Sequence, residues 1–423
     1  MRTLLFLSIT LLSFSARSAV NFNDFFFNRT LRIDYIHTGA YHEDSYSIDE
    51  LRSEPHWGGS KVNLIDTMNY GIYIFKVFDI ESNVLIYSRG YCTLFSEWQT
   101  TDEAKITRKS FSETIVMPSP KKDVRVEFYS REKGILQKKF EYIVNAKSYF
   151  ISPELRMPYP VFDAYISGDP ATKVDIVLLP EGYTEMEMGR FISDCQRFAE
   201  SLFTFSPFSE NKDKFNIRAV MAPSAESGSD IPGDSTWRRT IMNSNYYTFD
   251  SERYIMTSDN KHVRDLAANT PYDQIYILAN SSKYGGGAIF NHYSMTAAAH
   301  EKSAKIFIHE LGHSFAGLGD EYYTSSTSYN EFYPLDVEPW DPNLTTLVDF
   351  SKKWPDLLDK RTPVPTPDDE KYRDKPGVFE GGGYVAKGVY RPSYDCLMMS
   401  FKVDKFCPVC NRSIRKMIDF YTK

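Results

Sequence analysis

Cysteine is scarce in this chain, five in 423 residues, so cross-links cannot replace a core as they do in small exported domains. Instead, the length, with 42% hydrophobic and 15% aromatic residues, suffices for two buried cores. Positive charge is not in excess either. The formal net charge is −7 and no basic stripe interrupts it, which argues against a nucleic-acid surface. Long apolar runs are also missing. The stretch Leu4-Leu5-Phe6-Leu7, continuing to Leu11-Leu12, is too short to span a bilayer comfortably. With Arg2 before it and Ser15-Ala16-Arg17-Ser18-Ala19 after it, the pattern over residues 1–19 is that of a cleavable export signal rather than a membrane anchor. Its removal takes away Arg2 and Arg17 and moves the charge from −7 to −9. The expectation is an exported monomer, periplasmic, on the cell surface or secreted, with no stable membrane insertion.

What the chain does hold is Ile306-Phe307-Ile308-His309-Glu310-Leu311-Gly312-His313-Ser314-Phe315-Ala316-Gly317-Leu318-Gly319-Asp320-Glu321. Its H-E-x-x-H sets two imidazoles on one helix face, where both reach a single Zn²⁺ and leave Glu310 free to act on water. At about 100° per residue, Phe307, Ile308, Leu311 and Phe315 share the opposite side, so one face suits a core and the other a cleft. A catalytic zinc takes three protein ligands, and Asp320 is the preferred third. On a continued helix it would lie roughly 10 Å beyond His313, at about 1.5 Å rise per residue, against metal bonds of about 2 Å. The helix must therefore stop, and Gly317 and Gly319 can take the positive φ that a reversal needs. Glu321 is the competing ligand, read as a supporting or salt-bridging residue.

Several other segments match in the same order: V-D-I-V-L-L-P-E-G-Y-T from Val174 to Thr184, G-V-F-E-G-G-G-Y-V-A-K-G-V-Y-R-P from Gly377 to Pro392, and Cys396-Leu397-Met398-Met399 followed by Phe406-Cys407-Pro408-Val409-Cys410. Together these resemble the M64 peptidases, a family named for a bacterial member that cleaves immunoglobulin A and related to the metzincins. The resemblance runs from about residue 171 to the C-terminus, and the β-rich N-terminal region is also similar. It implies a zinc endopeptidase with one catalytic Zn²⁺ on His309, His313 and Asp320, acting on protein or peptide, which the export signal would make a secreted one. It does not imply that immunoglobulin is the substrate. It also implies that Met398 is the methionine of the turn beneath the zinc. Metzincins place a turn Gly three residues after the second His and the third ligand three further on. Here Ala316 and Gly319 hold those places, and Gly317 and Asp320 each come one residue later. Some metzincins carry a Tyr two residues after the turn Met. Ser400 stands there in this chain, leaving Tyr384, Tyr390 or Arg391 as candidate transition-state donors.

The chain as a whole reads as an α+β, multi-domain protein: an N-terminal antiparallel β-sandwich over residues 20–150, a linker over 151–173, and a metzincin-like α/β zinc peptidase domain over 174–423. Period-two runs such as Val124-Arg125-Val126-Glu127-Phe128-Tyr129, separated by turn residues, indicate the sandwich. His37, His42 and His56 are too irregularly spaced for a metal site and read as surface or turn residues. Pro and Gly mark the linker. Strands over 174–179, 215–221 and 274–278, with a helix over 184–203, make an α/β layer for the zinc helix. Gly285-Gly286-Gly287, inside Tyr284 to Tyr293, is either a plain loop or an edge strand that pairs with extended substrate through its backbone. His292 and His300 are candidate cleft residues, not ligands. The long Pro-punctuated stretch after Asp320 is expected to form short elements or a cleft wall. Cys407-Pro-Val-Cys410 hints at a structural zinc, but no second C-x-x-C accompanies it. A disulfide from Cys396 to one of the pair is therefore expected in an oxidising compartment.

Two classes of function follow. In one, Glu310 is the general base of a zinc endopeptidase; hydrolysis of a non-peptide amide is a variant of it. In the other, the chain is an exported glycan- or protein-binding module whose zinc site is inactive or structural. An intact Glu310 favours the first, because a structural site has no use for a base beside the metal.

Overall fold

The computed structural model describes residues 20–323 and 332–423; the expected export signal, 1–19, lies outside them. Two short helices, α1 (Phe22–Phe25) and α2 (Leu94–Trp98), accompany seven strands in the N-terminal region: β1 (Phe26–Ala40), β2 (Glu43–Glu54), β3 (Tyr73–Asp79), β4 (Leu85–Tyr91), β5 (Lys109–Pro120), β6 (Val124–Glu132) and β7 (Ile135–Val144). They form two antiparallel sheets, ordered β2-β1-β5 and β4-β3-β6-β7. Alternate residues from both sheets meet in one core, with Ile33 and Tyr35 from β1 and Ile115 and Met117 from β5 facing Phe75, Val77, Val126 and Phe128. This is the sandwich that the period-two patterning predicts. His42 and His56 are exposed as expected, but His37 is not. It is fully buried, stacked between Phe95 and Tyr46 and hydrogen-bonded to Glu113 at 2.9 Å and Asp44 at 3.4 Å. A lone polar residue on a strand gave no sign that its partners would arrive from two other segments.

The second region is built on a six-stranded sheet of order β12-β13-β11-β9-β10-β8. Its strands are β8 (Val161–Tyr165), β9 (Val174–Glu181), β10 (Phe215–Val220), β11 (Gln274–Ala279), β12 (Gly286–Ile289) and β13 (Tyr293–Ala297). The four central strands are parallel, and β8 and β12 run antiparallel at the edges. Part of the stretch read as linker is therefore an edge strand. It follows Pro160, and an edge position is where a proline-flanked strand is tolerated. Strand β9 is buried along its whole length, because both faces are covered. Ile176 and Leu178 face the core containing Phe307, Leu311 and Phe315, while Val177 and Leu179 face a second core containing Val263 and Leu266.

The helices that cover this sheet are α3 (Met188–Leu202), α4 (Asn260–Ala267), α5 (Ser303–Ala316) and α6 (Pro408–Thr422), and a hairpin, β14 (Phe379–Gly382) with β15 (Val385–Arg391), follows the long irregular stretch. That stretch contains short 3₁₀ turns, as expected, over Phe350–Lys352, Pro355–Leu357 and Glu370–Tyr372. The apolar side of α5 packs on α3, where the Phe307 and Phe198 rings stack at 4.9 Å. The sandwich is joined to this region through polar contacts: buried Arg32 of β1 donates to Asp265 of α4 at 2.6 Å, and the Cys92 N–H donates to the Phe290 carbonyl at 2.9 Å. Among the described residues no helix is long and apolar enough to cross a membrane.

Candidate active site

Helix α5 ends where its sequence predicts. Gly317 takes φ +63° and its N–H closes on the His313 carbonyl, the left-handed stop that glycine adopts without strain. The chain then turns back, held by Asn343, whose side chain accepts from the Gly319 N–H at 2.7 Å and donates to the Gly319 carbonyl at 2.9 Å. The reversal brings Asp320 Oδ1 to 3.1 Å from His309 Nε2 and 3.3 Å from His313 Nε2, with the two Nε2 atoms 3.1 Å apart. Metal bonds of about 2.0–2.1 Å in a tetrahedron give ligand–ligand edges of about 3.3 Å, so the three atoms fit one zinc-sized ion.

The remaining nitrogens settle the tautomers. His309 Nδ1 lies 3.1 Å from the Leu397 carbonyl and His313 Nδ1 2.5 Å from the Leu318 carbonyl. A carbonyl only accepts, so each Nδ1 carries a proton, and in the neutral imidazole each Nε2 is the nitrogen that offers a lone pair. Asp320 Oδ1 is buried with no hydrogen-bond partner among the described residues. Burial alone would lower His313, yet Asp320 raises it to about 9. Burial alone would raise Asp320, yet the imidazoles hold it well below the usual carboxylate range. The pocket is built for positive charge.

Glu310 lies between His309 and His313 in sequence, and its carboxylate rests against β12: a Cβ on Gly286 would sit 2.7 Å from Glu310 Oε1. Burial pushes the Glu310 carboxyl up, against the pull of the two imidazoles. Met398 is fully buried beneath α5, and its sulfur would lie 3.1 Å from a Cβ at Gly312. Its carbonyl accepts from the Glu321 N–H at 2.9 Å, which anchors the residue after Asp320 to the turn that carries Met398.

These groups open on a cleft of about 1110 Å³. Edge strand β12 lines one side through Gly286, Gly287 and Ala288, and the sandwich supplies another wall through Tyr41, His42, Lys133 and Lys139. The glycine-rich segment is thus an edge strand rather than a plain loop. Its outer side is paired at Gly286, to Arg253 and Tyr254. Of the three candidate donors, Tyr384 lines the cleft and its hydroxyl donates to Asp320 Oδ2 at 2.6 Å. Arg391 instead donates to the Glu380 and Gly381 carbonyls, and neither it nor Tyr390 is among the lining residues.

His292 and His300 do not line the cleft either. His292 is buried against Arg264, and His300 accepts from the Lys302 N–H. Sequence reasoning missed Arg253 and Tyr322, which line the cleft and pair at 3.2 Å; both lie in irregular segments with no periodic signal. The expected disulfide is not formed either. All five cysteines are free and buried, and Cys396 and Cys410 have their sulfurs 3.8 Å apart, against about 2.05 Å for a bond.

Comparison with known proteins now bears on this geometry. The profile of the IgA Peptidase M64 family matches residues 163–375 and 368–418, and that of the Peptidase M64 N-terminus matches residues 21–141. No curated protein matches the chain. The two family matches take in both the sheet region with its His, His, Asp pocket and the sandwich that walls the cleft, and the chain belongs to the M64 family of peptidases.

Proposed function

We propose that this chain is an exported zinc endopeptidase with a metzincin-like catalytic domain, acting on extended segments of extracellular protein. One observation carries the reading: two Nε2 lone pairs and one carboxylate oxygen converge within 3.3 Å at the floor of a cleft that Glu310 also lines. His309, His313 and Asp320 would hold the ion. Zinc bound there supplies Lewis acidity, activating water at neutral pH and polarising the scissile carbonyl.

The protein's own groups do the rest. The substrate backbone lies along β12, where Ala288 borders the cleft and glycines on its N-terminal side permit close approach. Glu310 Oε takes a proton from the water as its oxygen bonds to the carbonyl carbon. It then delivers that proton to the amine nitrogen as the carbon–nitrogen bond breaks. A carboxyl raised by burial suits both transfers, since it holds a proton more readily than an exposed one. Tyr384 steadies Asp320 from the cleft side.

The second reading, a binding module with an inert site, finds less support, because a structural site has no need of a general base that is not itself a ligand, the place Glu310 holds. Digestion of unfolded casein, with products identified by mass spectrometry, separates the two. Internal cleavage that a chelator abolishes and zinc restores is the expected result. Absence of cleavage, or cleavage indifferent to the chelator, refutes the proposal.

A further inference from the structure

Asp320 is followed by a second acid whose side chain is more deeply enclosed. Glu321 is fully buried, and its Oε1 lies 3.1 Å from Cys410 Sγ and 3.0 Å from Asn343 Nδ2. Its Oε2 is buried with no hydrogen-bond partner, and no Lys or Arg lies within ion-pair distance of it among the described residues. A carboxylate in this position is costly unless a cation joins it. Around it stand three thiols. Cys396 comes from the methionine turn; Cys407 caps α6, its sulfur accepting from the Cys410 N–H at 3.5 Å; and Cys410 lies in the helix's first turn. The Cys407 N–H in turn donates to Cys396 Sγ at 3.2 Å. One ligand atom from each of the four residues lies within 4.8 Å of all the others.

We infer that Cys396, Cys407, Cys410 and Glu321 form a second, structural zinc site. A tetrahedron with metal–sulfur bonds of about 2.3 Å has sulfur–sulfur edges of about 3.8 Å, the separation found between Cys396 and Cys410. Backbone N–H groups directed at the sulfurs are the kind of partner that orients thiolate ligands. A Cys396–Cys410 disulfide would leave both Cys407 and the buried Glu321 without a role, whereas one divalent ion uses all four. Four protein ligands fill the inner sphere, so this ion has no place for water and no part in hydrolysis. It ties together the segment after α5, the methionine turn and the start of α6. Because Glu321 adjoins Asp320, it fixes the backbone from which the third cleft ligand projects.

The test uses full-length protein purified without reductant. Wild type is expected to carry two zinc ions per chain and the His309→Ala/His313→Ala double variant one. Exchange of that remaining ion for cobalt should give the near-ultraviolet charge-transfer band of thiolate ligation, which a His, His, Asp site cannot produce. Cys396, Cys407 and Cys410 should alkylate after denaturation with chelator alone. A double variant free of zinc, together with a Cys396 disulfide in a peptide map, would overturn the inference. The charge-transfer band is independent of hydrolysis, so an inactive enzyme that shows it would sink the peptidase reading and leave this one standing.

Discussion

Asp320 and Glu321 are consecutive carboxylates, both nearly sealed from solvent, yet their surroundings differ in kind. Asp320 meets two imidazoles whose ligand atoms face a cleft of about 1110 Å³. Glu321 meets three sulfurs, and the cysteines that carry them belong to the core that also holds Leu397, Phe406 and Val409. The turn made possible by Gly317 and held by Asn343 sends one side chain to each. On the two readings proposed above, what would separate a place for chemistry from a place for structure is the company of the ion: three ligands and an open wall with a base beside it, or four ligands and none.

The largest effect that would break this comparison is at the base. Glu310→Ala should lower kcat by about a thousandfold or more, in the upper range for a lost proton-transfer group, while zinc content by atomic absorption stays at the wild-type value. Retained hydrolysis would remove Glu310 from the mechanism. Next, Asp320→Ala should empty the cleft site of metal and leave the cobalt–thiolate band intact, since Glu321 keeps its own partners. Unchanged zinc in the cleft would mean that Glu321 serves both sites. Gly286→Ala acts at one remove. A Cβ there would meet Glu310 Oε1 and Ile306 Cγ2, each at 2.7 Å, and displacing a catalytic group by about 1 Å can cost on the order of a hundredfold. The expected variant is folded and metal-loaded but slow, and full activity would show that Glu310 has room to move. Tyr384→Phe removes a 2.6 Å hydrogen bond to Asp320 and should weaken zinc binding by about tenfold, read by competition with a chromophoric chelator, in the lower range for an outer partner of a ligand.

The parts of the molecule that were legible in sequence are those specified locally. His309, Glu310 and His313 lie within about one helix turn, and Gly317 lies at the point where that helix has to end, so the convergence of His309 and His313 with Asp320 followed from spacing and rise. Strands β9, β10 and β11 followed from short segments rich in apolar and β-branched residues, and the sandwich from alternation. What could not be read depends on meetings between distant segments. The meeting of the three free thiols with Glu321 is not legible in the sequence, because Glu321 lies 75 or more residues before the cysteines and belongs to no second C-x-x-C. Arg253 and Tyr322 reach the cleft from segments with no period. Strand β8 was hidden because a short edge strand after Pro160 looks locally like a linker.

His37 offers a third buried cluster, one built on an imidazole and two carboxylates, and the smallest predicted effect falls there. Burial would lower its pKa, but the charge of Glu113 and the hydrogen bonds to Asp44 and Glu113 raise it. Burial would raise Asp44, but His37 and Lys139 hold it at about 2, below its ordinary 3.8. The two shifts act on opposite sides of neutrality. A depressed carboxyl contributes stability above its unfolded pKa and loses it as pH falls from there through about 2. A raised imidazole contributes stability below its ordinary 6.5 and loses it as pH rises through the folded value. The cluster therefore stabilises the sandwich most between those limits. His37→Phe keeps the stack on Phe95 and Tyr46 but discards the charge, and it leaves Glu113 unpaired. Its melting temperature should fall furthest below wild type at mildly acid pH, and the gap should narrow on the alkaline side. Because no metal takes part, that gap should be the same with and without chelator. A gap that is flat with pH would mean that His37 serves only as a packed ring.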